Sequence, residues 1–117
     1  MAKIIKHKKE IIEKYQEFRK NYLEYAKIIK NIAKEVFQEK FLKIIVFGSI
    51  LSKKYRVDSD IDIAIILRTE SKEEERIAFY KEIRNKLGFL HPFEFHIVSE
   101  YNWENWYKKF IKEFLEA

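Results

Sequence analysis

The chain has 117 residues and a formal net charge of +5, with 24 Lys and Arg against 19 Asp and Glu. That length bounds it to one domain around one core, and 47% hydrophobic with 16% aromatic residues excludes a disordered chain. The sequence has no Cys, which excludes a disulfide scaffold, Cys-ligated zinc and thiol catalysis.

Residues 3–38 lack Gly and Pro, and Ile11, Tyr15, Phe18, Tyr22, Tyr25, Ile29, Ile32 and Val36 recur at alternating spacings of four and three. This is the periodicity of one helix face. It fits one long helix or two joined near Lys20-Asn21. Most of the stripe reads as core-facing, with residues 1–24 as an N-terminal helical extension to a domain at 25–117. A Tyr-rich, heptad-like stripe is also the pattern of a homodimer or partner surface. Lys43 to Phe47 is a buried strand, ended by Gly48. Ile50 to Tyr55 reads as a short helix and Arg56 to Ser59, with Asp58, as a polar turn. Ile61 to Leu67 is a second strand. Ser71 opens a helix with Glu74 completing a capping box, and Gly88 stops it. Phe93 to Val98 alternates as a third strand. A last helix runs from about Asn102 to Leu115, with Trp103, Trp106 or Tyr107, Phe110 and Phe114 on its apolar face. Those aromatics read mostly as core; one exposed Trp would instead stack on a base or anchor a partner. The order α-β-α-β-α-β-α predicts an α/β (α+β) domain with a small sheet of three or four strands.

Two further features bear on setting. No apolar run reaches the ~18 residues needed to cross a membrane, and the first ten residues lack a signal-peptide core, so a cytoplasmic protein is expected. The Lys, Glu and Ile bias resembles thermophile composition. The positive charge is uneven: residues 1–47 are net +6 and residues 48–117 net −1. A Lys-rich helix is most often a solvated face, and it also permits contact with nucleic-acid phosphates.

The acids are the informative minority. Sixteen are Glu and three are Asp, and the three are Asp58, Asp60 and Asp62. In a strand, residues i and i+2 share a face, which puts Asp60 and Asp62 together, roughly 6–7 Å apart at the backbone. Asp62 lies inside an apolar strand, where an unpaired carboxylate is costly, so it calls for a cation. Glu94 completes a three-carboxylate cluster if the third strand neighbours the second. His96 shares the face of Glu94, either lining the site or packed as a structural His; His91 and His7 read as loop and solvated residues. Oxygen donors of this kind select Mg²⁺ or Mn²⁺. Gly48 lets a phosphate approach the backbone, and Ser49 adds a hydroxyl and an N–H.

Gly48-Ser49, ten residues, then Asp60-Ile61-Asp62 resembles the GSx10DxD signature of minimal nucleotidyltransferases in the DNA polymerase β superfamily. The stretch His91-Pro92-Phe93-Glu94-Phe95-His96-Ile97-Val98 is similar to the third-strand region of small archaeal members, and the resemblance covers roughly residues 25–115. It implies a palm-like nucleotidyltransferase fold. It implies that Asp60, Asp62 and Glu94 hold metal and that Glu94 acts as, or orients, the base. It implies that Gly48 and Ser49 contact phosphates of an NTP, with ATP the family precedent. Family members often follow GS with an Arg- and Gly-containing stretch. Here the residues are Ile50-Leu51-Ser52-Lys53, and Lys53, Lys54 and Arg56 are the substitutes. The resemblance further implies NMP transfer to a hydroxyl acceptor, and a helical HEPN-type partner that such proteins AMPylate as antitoxins. Two rivals stand beside it: a weakly catalytic module that masks a partner protein, and a modifier of nucleic-acid ends.

Overall fold

The computed structural model describes residues 2–52 and 59–117, with side chains from residue 8 onward. The turn residue Asp58, the basic candidates Lys53, Lys54 and Arg56, and most of the expected short helix lie outside the described residues.

The Gly- and Pro-free opening forms two helices, α1 (Ala2–Lys20) and α2 (Tyr22–Phe37), broken at Asn21. Strand β1 (Phe41–Phe47) follows, then a 3₁₀ turn over Ser49–Leu51, where a short helix was expected to begin. Strand β2 (Ile61–Leu67) leads into α3 (Glu73–Leu87) and β3 (Phe93–Ser99). The start of α3 is one residue later than its capping signal: Glu75, not Glu74, takes the Lys72 N–H at 2.7 Å. Ser71 instead holds Arg76 through its hydroxyl and carbonyl. Gly88 ends the helix at φ +80°, its N–H closing on the Arg84 carbonyl.

The four strands lie in the order β3-β2-β1-β4. β1 and β2 are antiparallel, with Phe47 opposite Asp62. β2 and β3 are parallel, with Asp62 opposite Glu94 and Ala64 opposite His96. The helix α3 between them is the crossover that a parallel pair requires.

The last element departs from expectation. Helix ends at residue 110 rather than 115, and β4 (Phe114–Glu116) pairs antiparallel with β1. The spacing of Trp103, Tyr107, Phe110 and Phe114 fits a helix. But the outer edge of β1 presents unpaired N–H and C=O groups, and a chain returning along it satisfies both sides at once. Ala117 N–H donates to the Ile44 carbonyl, and Lys30 Nζ reaches the Ala117 carbonyl.

Strand alternation divides the sheet into two faces. Ile44, Val46, Ile61, Ile63, Ile65, Leu67 and Phe93 are buried with α2 and α3 in the main core. Phe18, from the last turn of α1, joins them against Tyr25 and Phe93. On the other face Ile45, Phe47, Ala64, Ile66 and Val98 pack under Trp103 in a second, smaller core. Trp103 belongs to a helical segment at 100–110: α4 (Glu100–Asn102), a π turn (Trp103–Tyr107) and α5 (Lys108–Phe110). That segment covers only part of the second face, so the polar residues at the start of β2 and β3 stay accessible. No helix among the described residues is long and apolar enough to cross a membrane.

Candidate metal and nucleotide site

The site is built where three strands meet beyond the rim of the second core. Ile61, Ile63 and Ile65 are driven into the main core, and this turns Asp62 onto the opposite face. Phe93 and Phe95 do the same for Glu94 and His96. Because β2 and β3 run parallel in register, Asp62, Glu94 and His96 stand on adjacent positions of one face. One donor atom from each lies within 4.8 Å of the others. Two carboxylates and an imidazole at that separation form a candidate divalent-cation site.

Both oxygens of Asp62 are placed. Oδ1 is 3.1 Å from His96 Nε2. Oδ2 lies so close to Gly48 that a Cβ built there would overlap it. Gly48 also sits at φ +89°, a left-handed conformation that L side chains rarely adopt. The glycine anticipated as a close approach for phosphate is thus required first by a close approach of Asp62. The hydrogen bond to Asp62 raises the pKa of His96, and the charges of Asp62 and Glu94 add to this against the opposing effect of burial. By linkage, the stabilisation from charged His96 is present below its unfolded pKa and fades as pH rises through the higher folded value. With no metal bound, a protonated His96 supplies a cationic partner for the half-buried Asp62 carboxylate, and it must lose that proton to serve as a metal ligand itself.

Of the residues singled out in the sequence, Asp62 and Glu94 are brought face to face across the parallel pair. Asp60 is exposed, one residue ahead of β2, and is not part of the 4.8 Å group. Gly48 is at the site, and Ser49 opens the adjoining 3₁₀ turn. His96 both lines the site and packs, its ring 5.1 Å from Phe47 and 5.8 Å from Tyr107. Its pairing with Asp62 was signalled only by its place two residues after Glu94. Among the aromatics, Trp103 is core with Tyr107 packed beside it and Trp106 is the exposed tryptophan at 62%, whereas Phe110, 80% exposed, and Phe114, also exposed, correct the expectation that they line an apolar helix face against the core. The wider spacing of the π turn stacks Tyr107 on Trp103 and turns Trp106 outward.

Two further side chains brace this end of the molecule. Arg19, on the last turn of α1, is buried and donates through Nε and Nη2 to the Ser59 carbonyl at 3.0 and 2.6 Å. It thereby ties α1 to the approach to Asp60. Ile61 N–H donates to the Pro92 carbonyl at 2.7 Å, which carries the β2–β3 ladder one step beyond the strands.

Residues 26–116 match the family described as polymerase beta, nucleotidyltransferase, and the chain belongs to that family. A crystal structure described as a candidate nucleotidyltransferase is 32% identical, with a TM-score of 0.62, covering 80% of this chain and 97% of that one. A second, from Sulfolobus solfataricus and similarly described, is 19% identical with a TM-score of 0.49, covering 88% of this chain and 85% of that one. No curated protein matches the chain. The fold is therefore the mixed α/β nucleotidyltransferase palm, and it carries a candidate metal-binding group at Asp62, Glu94 and His96.

Proposed function

We propose that the protein transfers a nucleoside monophosphate, AMP from ATP in the first instance, to a hydroxyl acceptor. The acceptor oxygen attacks the α-phosphorus, the bond to the β-phosphate oxygen breaks, and pyrophosphate leaves. The hydroxyl proton passes to Glu94. The observation that carries this reading is Asp62 opposite Glu94 on the paired strands, beside the backbone turn at Gly48. Asp62 and Glu94 hold Mg²⁺ or Mn²⁺, with Asp60 joining them from the exposed end of β2. The cation would supply charge neutralisation on the phosphates and a more acidic acceptor hydroxyl. Gly48 and Ser49 receive the β- and γ-phosphates, and Lys53, Lys54 and Arg56 supply the positive charge that an Arg after the GS pair provides in relatives.

The acceptor in this proposal is a side chain of a helical HEPN-type protein, with the present chain as antitoxin. The small domain has little of its own to hold an acceptor, which supports a separate chain. Residues 25–117 form the transferase unit and residues 1–24 an extension built into the core through Phe18 and Arg19 in the last turn of α1.

The test is label transfer. Protein, Mg²⁺ and ATP, GTP, CTP or UTP labelled at the α-phosphate are incubated with a lysate of the source organism. We expect label on a protein, lost when Asp60→Asn and Asp62→Asn are combined. Label on RNA would favour the nucleic-acid-end modifier. No transfer with intact partner binding would favour the masking module. Transfer that survives the double substitution would remove the metal assignment.

A further inference from the structure

A groove beside the site, apart from Gly48 at its polar end, has no role in the chemistry above. Its inner part, about 240 Å³, is walled by Phe47, Trp106, Tyr107, Phe110 and Ile111. A second part of about 310 Å³ shares Phe47, Phe110 and Ile111 and opens onto Gly48, Ser52, Lys112 and Glu113. The two are continuous, aromatic at one end and polar at the other. The Phe47 ring separates the groove from the metal group, 5.1 Å from the His96 ring that holds Asp62. Phe47 is itself opposite Asp62 in the sheet.

The aromatic end is not explained by packing. Trp103, with Tyr107 and Ile111 beside it, fills the space against the second core, and Trp106 and Phe110 are left in solvent at a cost in apolar exposure. A π turn, a form that recurs at functional sites, is what aims Trp106 outward. We propose that this groove binds the nucleobase of the donor, stacked against Trp106 and Phe110, with its phosphates directed to Gly48. The inference rests on the transferase reading above and adds the part of the donor that reading leaves unplaced. Recognition by stacking is tolerant of base identity, because every base has a π face. It favours the larger purine rings over pyrimidines.

Binding can be measured without turnover, using Mg²⁺ with either ATP or inorganic triphosphate as the probe. Trp106 and the buried Trp103 are the two tryptophans, so Trp106→Leu assigns any change in emission. We expect ATP to quench emission in the native protein and not in Trp106→Leu. ATP should bind more tightly than triphosphate by about 5- to 150-fold, the worth of stacking one base on an aromatic side chain. Phe110→Ala should weaken ATP within the same range and leave triphosphate unchanged. Both variants alter exposed side chains, and an unchanged triphosphate affinity reports that the fold is intact. Equal affinity for ATP and triphosphate, or an ATP affinity unaffected by either variant, overturns the base site and leaves the phosphate site standing. Equal weakening of both probes also overturns it, since the groove would then act through the fold. If neither probe binds the native protein, the transferase reading fails and the base site falls with it.

Discussion

Gly48 is held by two constraints at once. Its backbone sits at φ +89°, and the carboxylate of Asp62 occupies the space a side chain would need. Gly48→Ala should therefore destabilise the fold by about 1–3 kcal/mol from backbone strain and displace Asp62 from the metal group. Thermal unfolding and a Mn²⁺ titration of the same sample check the two effects separately. His96 is a positioning residue for Asp62 in the same sense. Its replacement by Phe keeps the ring contacts with Phe47 and Tyr107 and removes the hydrogen bond to Oδ1. We expect a loss of about 10- to 100-fold in metal affinity, the usual effect of removing a partner that orients a ligand. Restoration by Gln, which can still donate, would separate orientation from packing. At this scale much was legible in the sequence. The motif spacing singled out Gly48, Ser49, Asp60 and Asp62, and β alternation put Glu94 and His96 on one face; that Glu94 meets Asp62 was conditional on their strands being neighbours. The pairing of His96 with Asp62 was signalled only by its shared face with Glu94, because it depends on β2 and β3 being parallel and in register.

At the scale of elements, α1 is attached to the domain by its last turn. Phe18 fills the core beside Phe93, and Arg19 reaches the Ser59 carbonyl with two donors. Arg19→Ala should cost about 1.5–3 kcal/mol, the range for hydrogen bonds from a charged group. Arg19→Lys should recover only part, since an ammonium cannot reproduce the forked geometry. Removal of residues 1–9 should leave the denaturation midpoint unchanged, whereas removal of residues 1–20 should lower it sharply. A midpoint unaltered by the longer deletion would show that the attachment contributes nothing. The helical stripe was legible but the break at Asn21 stayed open, since an apolar stripe that runs through both helices fits one helix or two. The fourth strand was not legible. Phe114 and Leu115 satisfy a helical spacing as well as a strand, and the free edge of β1 decides between them only once the sheet exists.

For the molecule as a whole, two groups set the expected response to acid. Burial lowers the pKa of His91, with Lys14 adding to the effect, and its Nδ1 accepts the Phe93 N–H at 3.2 Å. Glu75 is lowered by its hydrogen bond to Lys40, which joins α3 to the start of β1, and by the Lys72 N–H. Both folded values lie below the unfolded ones, so both contributions are present above the unfolded pKa and are lost as pH falls. Stability should decline first below about pH 6.5, where unfolded His titrates, and again below about pH 4.5. His91→Gln should flatten the first step without altering the second, as read from urea midpoints across that range.

The proposed chemistry turns on a cation held between β2 and β3, and Mn²⁺ binding followed by electron paramagnetic resonance measures that directly. In the presence of a non-hydrolysable ATP analogue, the native protein should bind Mn²⁺, and Asp62→Asn should bind it at least about 10-fold more weakly with an unchanged circular dichroism spectrum. Equal Mn²⁺ binding by the native protein and Asp62→Asn would contradict the site.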